Sequence, residues 1–241
     1  LVGGYETSLR AAVSQIDSDA TVTDDAKLLA VAETSLRGKV AESALDVFSP
    51  LIVEALSTVF ENRGEALAQH VSMFKTGTGG ARDSRMVKGI LIRRRVLMND
   101  LPNDIRDAKV VCLDGDIKIR EMVRDTELKI TSADALDSFI GAERDRKEEI
   151  FRGILESGAT VVLCSGEIDK DILHLLCDSG ILAVEKLDST ELINASDATS
   201  SRIIENPLDI EEADMGFCGH ASWMRKPSTD EVEDVIRIED C

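Results

Sequence analysis

Positive charge is scarce in this sequence, and its scarcity excludes several classes of partner. Lysine and arginine number 28 against 46 aspartate and glutamate residues, so the formal net charge is −18. Proteins that bind nucleic acid or anionic membranes generally need the opposite sign, so we expect neither partner. Long hydrophobic runs are missing as well: none could span a bilayer, and no signal peptide is visible.

Cysteines at metal-ligand spacing are also lacking. The five cysteines show no Cys-x-x-Cys pair, and three of them lie within apolar runs; they are Cys112, Cys164, Cys177, Cys218 and Cys241. This pattern predicts buried thiols in a reducing cytoplasm rather than zinc ligands or a disulfide framework. We therefore expect a cytoplasmic protein without a metal site.

Catalytic motifs are absent. The sequence has no GxSxG, HExxH or GxxxxGK[ST] motif, and its histidines, His70, His174 and His220, are far apart. The glycine-rich stretch at residues 76–80 is not followed by the Lys-Ser/Thr that a phosphate loop requires, so it is interpreted as a linker. No catalytic residue is predicted.

The hydrophobic pattern divides the chain at this glycine-rich stretch. Before it, residues 2–68 show helical spacing of apolar side chains. After it, residues 89–92 and 109–113 form short β-type runs, separated by a turn-forming segment at 99–103. The sequence therefore predicts a helical part followed by a part that contains a sheet.

Strand-like and helical segments alternate in the second part. Three strand-like runs, at residues 160–164, 181–185 and 202–204, recur about twenty residues apart with helical segments at 169–178 and 188–195 between them. This spacing predicts right-handed βαβ crossovers and a parallel sheet.

One predicted helix, at residues 132–157, has an unusual distribution of polarity. Its ends are apolar, with Leu136, Phe139 and Ile140 near the start, but residues 141–149 between them are almost wholly polar. A helix that is polar on all sides at its middle does not pack on a core there. We expect its base to belong to a domain and its tip to project with exposed apolar side chains, which indicates a protein that binds other proteins.

A single lysine, Lys39, stands in a glycine-containing loop that ends a helical run at residues 32–39. It is interpreted either as an exposed lysine in a helix–helix turn or as a cation placed to meet a phosphate carried by another domain. Spacing alone favours the first interpretation.

Several short motifs occur in a fixed order along the chain. They are AETSLRGK at 32–39, Gly79-Gly80 followed by Asp83-Ser84 and by VKGI at 87–90, AKVVCLD at 108–114, ELKITS at 127–132, EEIFRGILESGATVV at 148–162, GILAV at 180–184 and a terminal IEDC. Together they resemble the group II chaperonins, the archaeal thermosome and its eukaryotic TCP-1 relative, over essentially the whole chain. The acidic composition favours an archaeal source.

The resemblance implies a domain organisation. Residues 1–17 would be a remnant of an equatorial domain, and residues 18–75 the ascending half of a mostly α-helical intermediate domain. Residues 76–241 would be an α/β apical domain with parallel-type βαβ units, from which a helical lid protrusion projects at about 131–157. Because the chain begins at Leu1 without a methionine and ends at Cys241, we expect it to be a piece of a longer protein.

The resemblance also implies a molecular chaperone subunit. Its partners would be unfolded polypeptides and like subunits in a double ring, with neither nucleic acid nor membrane. The residues expected to bind clients or neighbouring lids are apolar and lie on two helices: Leu136, Phe139 and Ile140 on the protrusion, and Ile172, Leu173 and Leu176 on a cavity-facing helix.

In the intact family the folding cycle uses ATP and Mg²⁺, and Lys39 would be the nucleotide-sensing lysine that approaches the γ-phosphate. The family's phosphate-binding and Mg²⁺-binding motifs do not occur in this sequence. We therefore expect no bound cofactor on this chain alone and no ATP hydrolysis by it.

Two other functions remain open at this point. The chain could be a stand-alone module that holds unfolded clients without an ATP cycle. It could also be a nucleotide-dependent enzyme of the Rossmann type, although residues 165–167 after the strand at 160–164 offer one glycine where that fold needs a glycine-rich turn.

Overall fold

The computed structural model divides the chain into two units, Leu1–Met86 and Val87–Cys241. It describes residues 4, 6–11, 14, 25–39, 44–63, 70–75, 79–119, 133–227 and 232–241. The sequence placed the domain boundary at residue 75, whereas the two units divide after Met86. The assignment of equatorial and intermediate segments within the first unit stays a prediction.

The described part of the first unit is helical. Residues 4, 6–11 and 14 are helical, and two longer helices follow, α1 (Asp25–Leu36) and α2 (Leu45–Arg63). Helix α1 packs against α2, and Ala32 of α1 is buried. Pro50 lies in the second turn of α2, past the first turn where proline is tolerated, so it costs the helix one backbone hydrogen bond.

The second unit is built around one seven-stranded sheet. Its strands are β1 (Gly89–Arg93), β2 (Asp104–Leu113), β3 (Val161–Cys164), β4 (Leu182–Val184), β5 (Ile203–Ile204), β6 (Gly216–Pro227) and β7 (Val232–Glu239). The strand order is β1-β7-β6-β2-β3-β4, and β5 pairs with β2. The pairs β2–β3, β3–β4 and β2–β5 are parallel, while β1–β7, β7–β6 and β6–β2 are antiparallel.

Three helices accompany the parallel part of the sheet: α3 (Ala133–Ser157), α4 (Lys170–Asp178) and α5 (Ser189–Thr199). The carboxylate of Asp169 caps α4 by accepting the amide of Asp171, and Asp188 caps α5 by accepting the amide of Glu191. Gly158 follows α3 with φ +78, the left-handed conformation in which glycine avoids the penalty of a Cβ.

The core of the second unit lies around the parallel strands. All residues of β3 and β4 are buried, and so are the last four of β2. Burial on both faces is the condition under which parallel strands are found, because helices cover them. From the helices, Ile154 of α3, Ile172 of α4 and Leu192 of α5 complete this core.

The sequence analysis predicted a mixed α/β fold, and the structure confirms it with the parallel βαβ arrangement from β3 to β4. It missed the antiparallel pair β6–β7, which supplies much of the other half of the sheet. Residues 120–132, between β2 and α3, lie outside the described residues, and just before them Ile117 forms a parallel bridge with Ile168.

Candidate functional site

The N-terminal half of α3 carries exposed apolar side chains. Phe139 is 47% exposed and Ile140 is 53% exposed, while residues 143–146, shortly after them, are all exposed and charged. Leu136 lies within the same helix, but its side chain is outside the described residues. The exposed tip expected from the sequence is therefore present for two of the three residues assigned to it.

Ion pairs within α3 stabilise its polar middle. Arg144 Nε donates to Glu148 Oε1 at 3.0 Å, four residues along the helix, and Arg146 pairs with Glu149. Such pairs support a helix that has no core to pack on, although each contributes only a few tenths of a kilocalorie, about 0.2–0.5 kcal/mol. The helix can therefore continue away from the sheet without apolar contacts.

The C-terminal half of α3 is anchored in the second unit. Ile150 and Ile154 are buried in the core. One turn before Ile150, the ammonium of Lys147 lies 2.7 Å from Asp171 Oδ2 and 3.2 Å from Asp169 Oδ2, both at the start of α4. The change from exposed tip to buried base thus occurs within one turn of the helix.

Helix α4 presents its apolar side to the core, which corrects one expectation. Ile172, Leu173 and Leu176 are 0%, 3% and 0% exposed, so in this structure they are not available to a client. The physical reason is that α4 is short and amphipathic, and its one apolar stripe is used to cover the buried sheet. Its exposed positions, 170, 171, 174 and 178, are all polar or charged.

Exposed apolar residues also occur where the sequence analysis predicted none. Ile193 of α5 is 52% exposed and Phe217 of β6 is 51% exposed. The sequence carried no signal that singles out Ile193, because an adjacent apolar pair can be buried together, as Ile172 and Leu173 of α4 are. These two residues match Ile140 and Phe139 in type and in exposure.

Lys39 lies in the turn that ends α1. Its amide donates to Leu36 O at 3.2 Å, Gly38 before it has φ +72, and its side chain is exposed. At the glycine pair 79–80, the amide of Gly80 is taken by Asp83 Oδ2 at 2.7 Å, so this turn holds a carboxylate where a phosphate oxygen would be needed. Lys39 is thus an exposed lysine in a helix-ending turn, and its nucleotide-sensing role stays a prediction.

Three of the five cysteines are buried as predicted, whereas Cys177 is partly buried and Cys241 is exposed. Cys112, Cys164 and Cys218 are buried, and burial raises the pKa of Cys112 and Cys218 to about 11 and that of Cys164 to about 12. Such thiols stay protonated at neutral pH and are poor nucleophiles. Among the described residues, no group of three or more His, Cys, Asp or Glu side chains could hold a metal ion. Nor does any helix within those ranges have the length and apolarity to cross a membrane.

Comparison with known proteins identifies the family. Residues 1–241 match the model of the TCP-1/cpn60 chaperonin family. The chain is 33% identical to the thermosome subunit of Methanopyrus kandleri over 214 residues, which is 88% of this chain and 38% of that protein. It is 32% identical to the thermosome subunit beta of Aeropyrum pernix over 223 residues, 90% of this chain and 41% of that protein. The chain thus spans about two fifths of the length of these relatives.

A solved structure shares the fold. The open-state monomer of a group II chaperonin from Methanococcoides burtonii superposes with a TM-score of 0.62, at 19% identity, over 99% of this chain and 54% of that one. The group II chaperonin resemblance found in the sequence is therefore confirmed, together with the chaperonin and thermosome relationship that it implied.

Proposed function

Because the chain belongs to the TCP-1/cpn60 chaperonin family, we propose that it is the part of a chaperone subunit that binds unfolded polypeptides, through the exposed apolar residues of α3. The observation that carries this proposal is the exposure of Phe139 and Ile140, side by side, on a helix whose residues 143–146 are all exposed and charged. Single exposed apolar residues are ordinary on a monomer, but two adjacent ones beside such a charged stretch of helix support a partner surface there.

The energetic argument concerns what a client would recover. Burying a large apolar side chain stabilises by roughly 1.5–3 kcal/mol, and about half of that remains available for each of these two residues. The pair therefore offers a client on the order of 1.5–3 kcal/mol, to which Leu136 would add. Apolar contacts are non-directional, so this surface can accept many unfolded sequences, each weakly.

The activity of the whole subunit is a further proposal. We infer an ATP-driven folding cycle, with Mg²⁺, in a cytoplasmic double ring of like subunits in which α3 serves as a built-in lid. The nucleotide would be bound by segments other than the described ones, because the Gly80 amide of the glycine-rich stretch is already taken by Asp83. Lys39 would then sense the γ-phosphate, since its ammonium is exposed at the end of α1 and can meet an anion.

A second candidate function is a stand-alone module that holds clients without ATP. The Gly80 amide, taken by a carboxylate and not free for a phosphate, supports it for this chain taken alone. Gel filtration of this chain tests it: a stand-alone module must elute near its own mass of 26.2 kDa, and a large assembly would contradict it.

The client-binding surface is tested by suppression of the aggregation of a chemically unfolded test protein, without ATP. We expect the wild-type chain to protect, and the double variant Phe139→Ser/Ile140→Ser to protect less. Adding Leu136→Ser is expected to reduce protection further. Light scattering at several chaperone-to-client ratios measures each loss as a shift in the ratio needed for half protection.

The matched control is Phe217→Ser/Ile193→Ser, which makes the same two changes at similarly exposed positions of the same unit. The proposal requires that this control still protects as the wild type does. Equal loss in both double variants would mean that exposed apolar area anywhere suffices, and protection unchanged in both would remove client binding from α3.

A further inference from the structure

The start of α4 and the middle of α3 are joined by one cation, Lys147. Its side chain is only 16% exposed, although it stands next to a fully exposed stretch of helix. Three carboxylates surround its ammonium: Asp171 at 2.7 Å, Asp169 at 3.2 Å and Glu143 at 3.5 Å. Two of these belong to the first turn and cap of α4, and the third to α3 itself.

Such a position would be unfavourable for a cation without these partners. The amino end of a helix carries a partial positive charge, so Lys147 placed there is repelled by α4 and held by its carboxylates. The pKa values reflect this balance: the hydrogen bond with Asp171 raises the pKa of Lys147, and the same bond lowers the pKa of Asp171. The contact is therefore electrostatic, and it depends on a small number of groups.

Lys147 also makes the ion pairs to another helix that lie nearest the tip of α3. Among the described residues 139–149 of α3, it alone has an ion pair or hydrogen bond to a residue outside the helix, since Arg144 and Arg146 pair with glutamates of α3. The apolar anchors, Ile150 and Ile154, lie on its C-terminal side. Among the described residues, Lys147 is therefore the polar contact nearest the exposed tip that ties α3 to another helix.

We propose that the cluster of Lys147, Asp169, Asp171 and Glu143 is a latch that fixes the direction in which the tip of α3 leaves the second unit. With the latch closed, the base of the projecting half of α3 is fixed to the first turn of α4 through Lys147. With it open, that half is tied to the unit only through the helix backbone and can swing or fray. The latch is inferred from the geometry of the two helices; only the role of the tip as a client-binding surface rests on the proposed function.

Hydrogen exchange of the 241-residue chain tests the latch. Lys147→Met keeps the apolar stem and removes the charge, and Asp171→Asn removes the nearest carboxylate while leaving the cap at Asp169. Both are expected to speed amide exchange at residues 139–146 by at least about threefold and to leave residues 161–164 of β3 unchanged. Arg144→Met is the control, because it breaks an ion pair one turn away that lies wholly within α3.

Two outcomes would overturn the proposal. One is exchange at 139–146 that rises as much in Arg144→Met as in Lys147→Met, which would indicate general weakening of the helix. The other is a Lys147→Met/Asp171→Asn double variant whose effect is the sum of the single effects, since members of one latch must be non-additive.

Fluorescence of Trp223 checks that each variant is folded. If Lys147→Met does not fold, Asp171→Asn still tests the latch. Hydrogen exchange reports on the latch whether or not Phe139 and Ile140 bind clients. The two proposals therefore fail separately. If the latch is wrong, amide exchange at residues 139–146 is unchanged in Lys147→Met. If the client site is wrong, the protection against aggregation is unchanged in Phe139→Ser/Ile140→Ser.

Discussion

Asp234 of β7 and Arg225 of β6 lie opposite each other on neighbouring strands, and the Asp234 carboxylate is shielded from solvent. Asp234 is fully buried, and its Oδ1 accepts Arg225 Nε–H at 3.0 Å. Its other oxygen accepts the Val96 amide at 2.8 Å and Arg225 Nη2 at 3.2 Å. Arg225 also bonds Asn99, so one carboxylate joins two strands to the loop that follows β1.

The first prediction concerns this carboxylate. Asp234→Ala leaves the buried Val96 amide and the Arg225 guanidinium without their acceptor, so we expect the free energy of unfolding to fall by about 2–4 kcal/mol. The full cost of an unpaired charge is not expected, because the Arg225 side chain is 39% exposed and water can reach it. Urea unfolding followed by the fluorescence of Trp223, the one tryptophan of the chain, measures the change.

Asp234→Asn is the matched control. It keeps one oxygen that can accept the Val96 amide but turns the other into an NH2 donor facing Arg225, so its loss should be smaller than that of Asp234→Ala without vanishing. A loss below about 0.5 kcal/mol for the alanine variant would contradict the prediction.

The second prediction separates a steric clash from backbone strain. A Cβ on Gly89 would lie 1.9 Å from the carbonyl oxygen of Ile238, and φ at Gly89 is +147. Gly180 also has positive φ, +74, but nothing lies within 4 Å of its Cβ position. We expect Gly180→Ala to cost about 1–2 kcal/mol from strain alone, and Gly89→Ala to cost more because β1 must move away from β7. Equal unfolding free energies for the two variants would rule out the clash.

The third prediction follows from the corrected position of α4. Leu176 is fully buried, so Leu176→Ala should lower the free energy of unfolding by about 2–5 kcal/mol through lost contacts and a cavity. Protection of a client per mole of folded protein should not change. Leu155→Ala, at an exposed leucine of α3, is the control for stability and should cost much less. Lost protection by folded Leu176→Ala would restore α4 as a contact surface.

Local patterns predicted the helix–strand order of the second unit well. The helix expected at residues 169–178 is α4 (Lys170–Asp178) with Asp169 as its cap, and the strand expected at 160–164 is β3 (Val161–Cys164). These elements are specified by short-range signals, namely a capping carboxylate, a terminal glycine and a continuous apolar run. The apolar run is buried as a strand and the carboxylate caps the helix, so these elements lie where the sequence predicted them.

The pair β6–β7 was missed because its charges look solvated in the sequence. Asp234, Arg237 and Glu239 interrupt β7, and a strand with so many charges has the composition of a loop. In the structure the carboxylate of Asp234 is buried on Arg225 and on a backbone amide instead. Such satisfaction depends on a residue of another strand, and no window of a few residues contains it.

The site was only partly predictable for a similar reason. The polar middle of α3 has no apolar face, so its exposure follows from the sequence alone. The apolar stripe of α4 does not distinguish a surface for clients from a surface for the core, because both need the same spacing of leucine and isoleucine. Only the position of the sheet decides between the two, and in this structure the apolar stripe of α4 is buried in the core.

The pairing of β1 with β7 brings the two ends of the second unit together. Gly89 is paired with Glu239, and the Asp240 amide donates to Lys88 O at 2.8 Å. A unit whose first and last strands are neighbours can be inserted into a longer chain at one place without threading, because both connections leave through the same edge. Force applied to these two connections would pull the first pair apart before the next, so the unit would unzip from this edge while the βαβ core stayed intact.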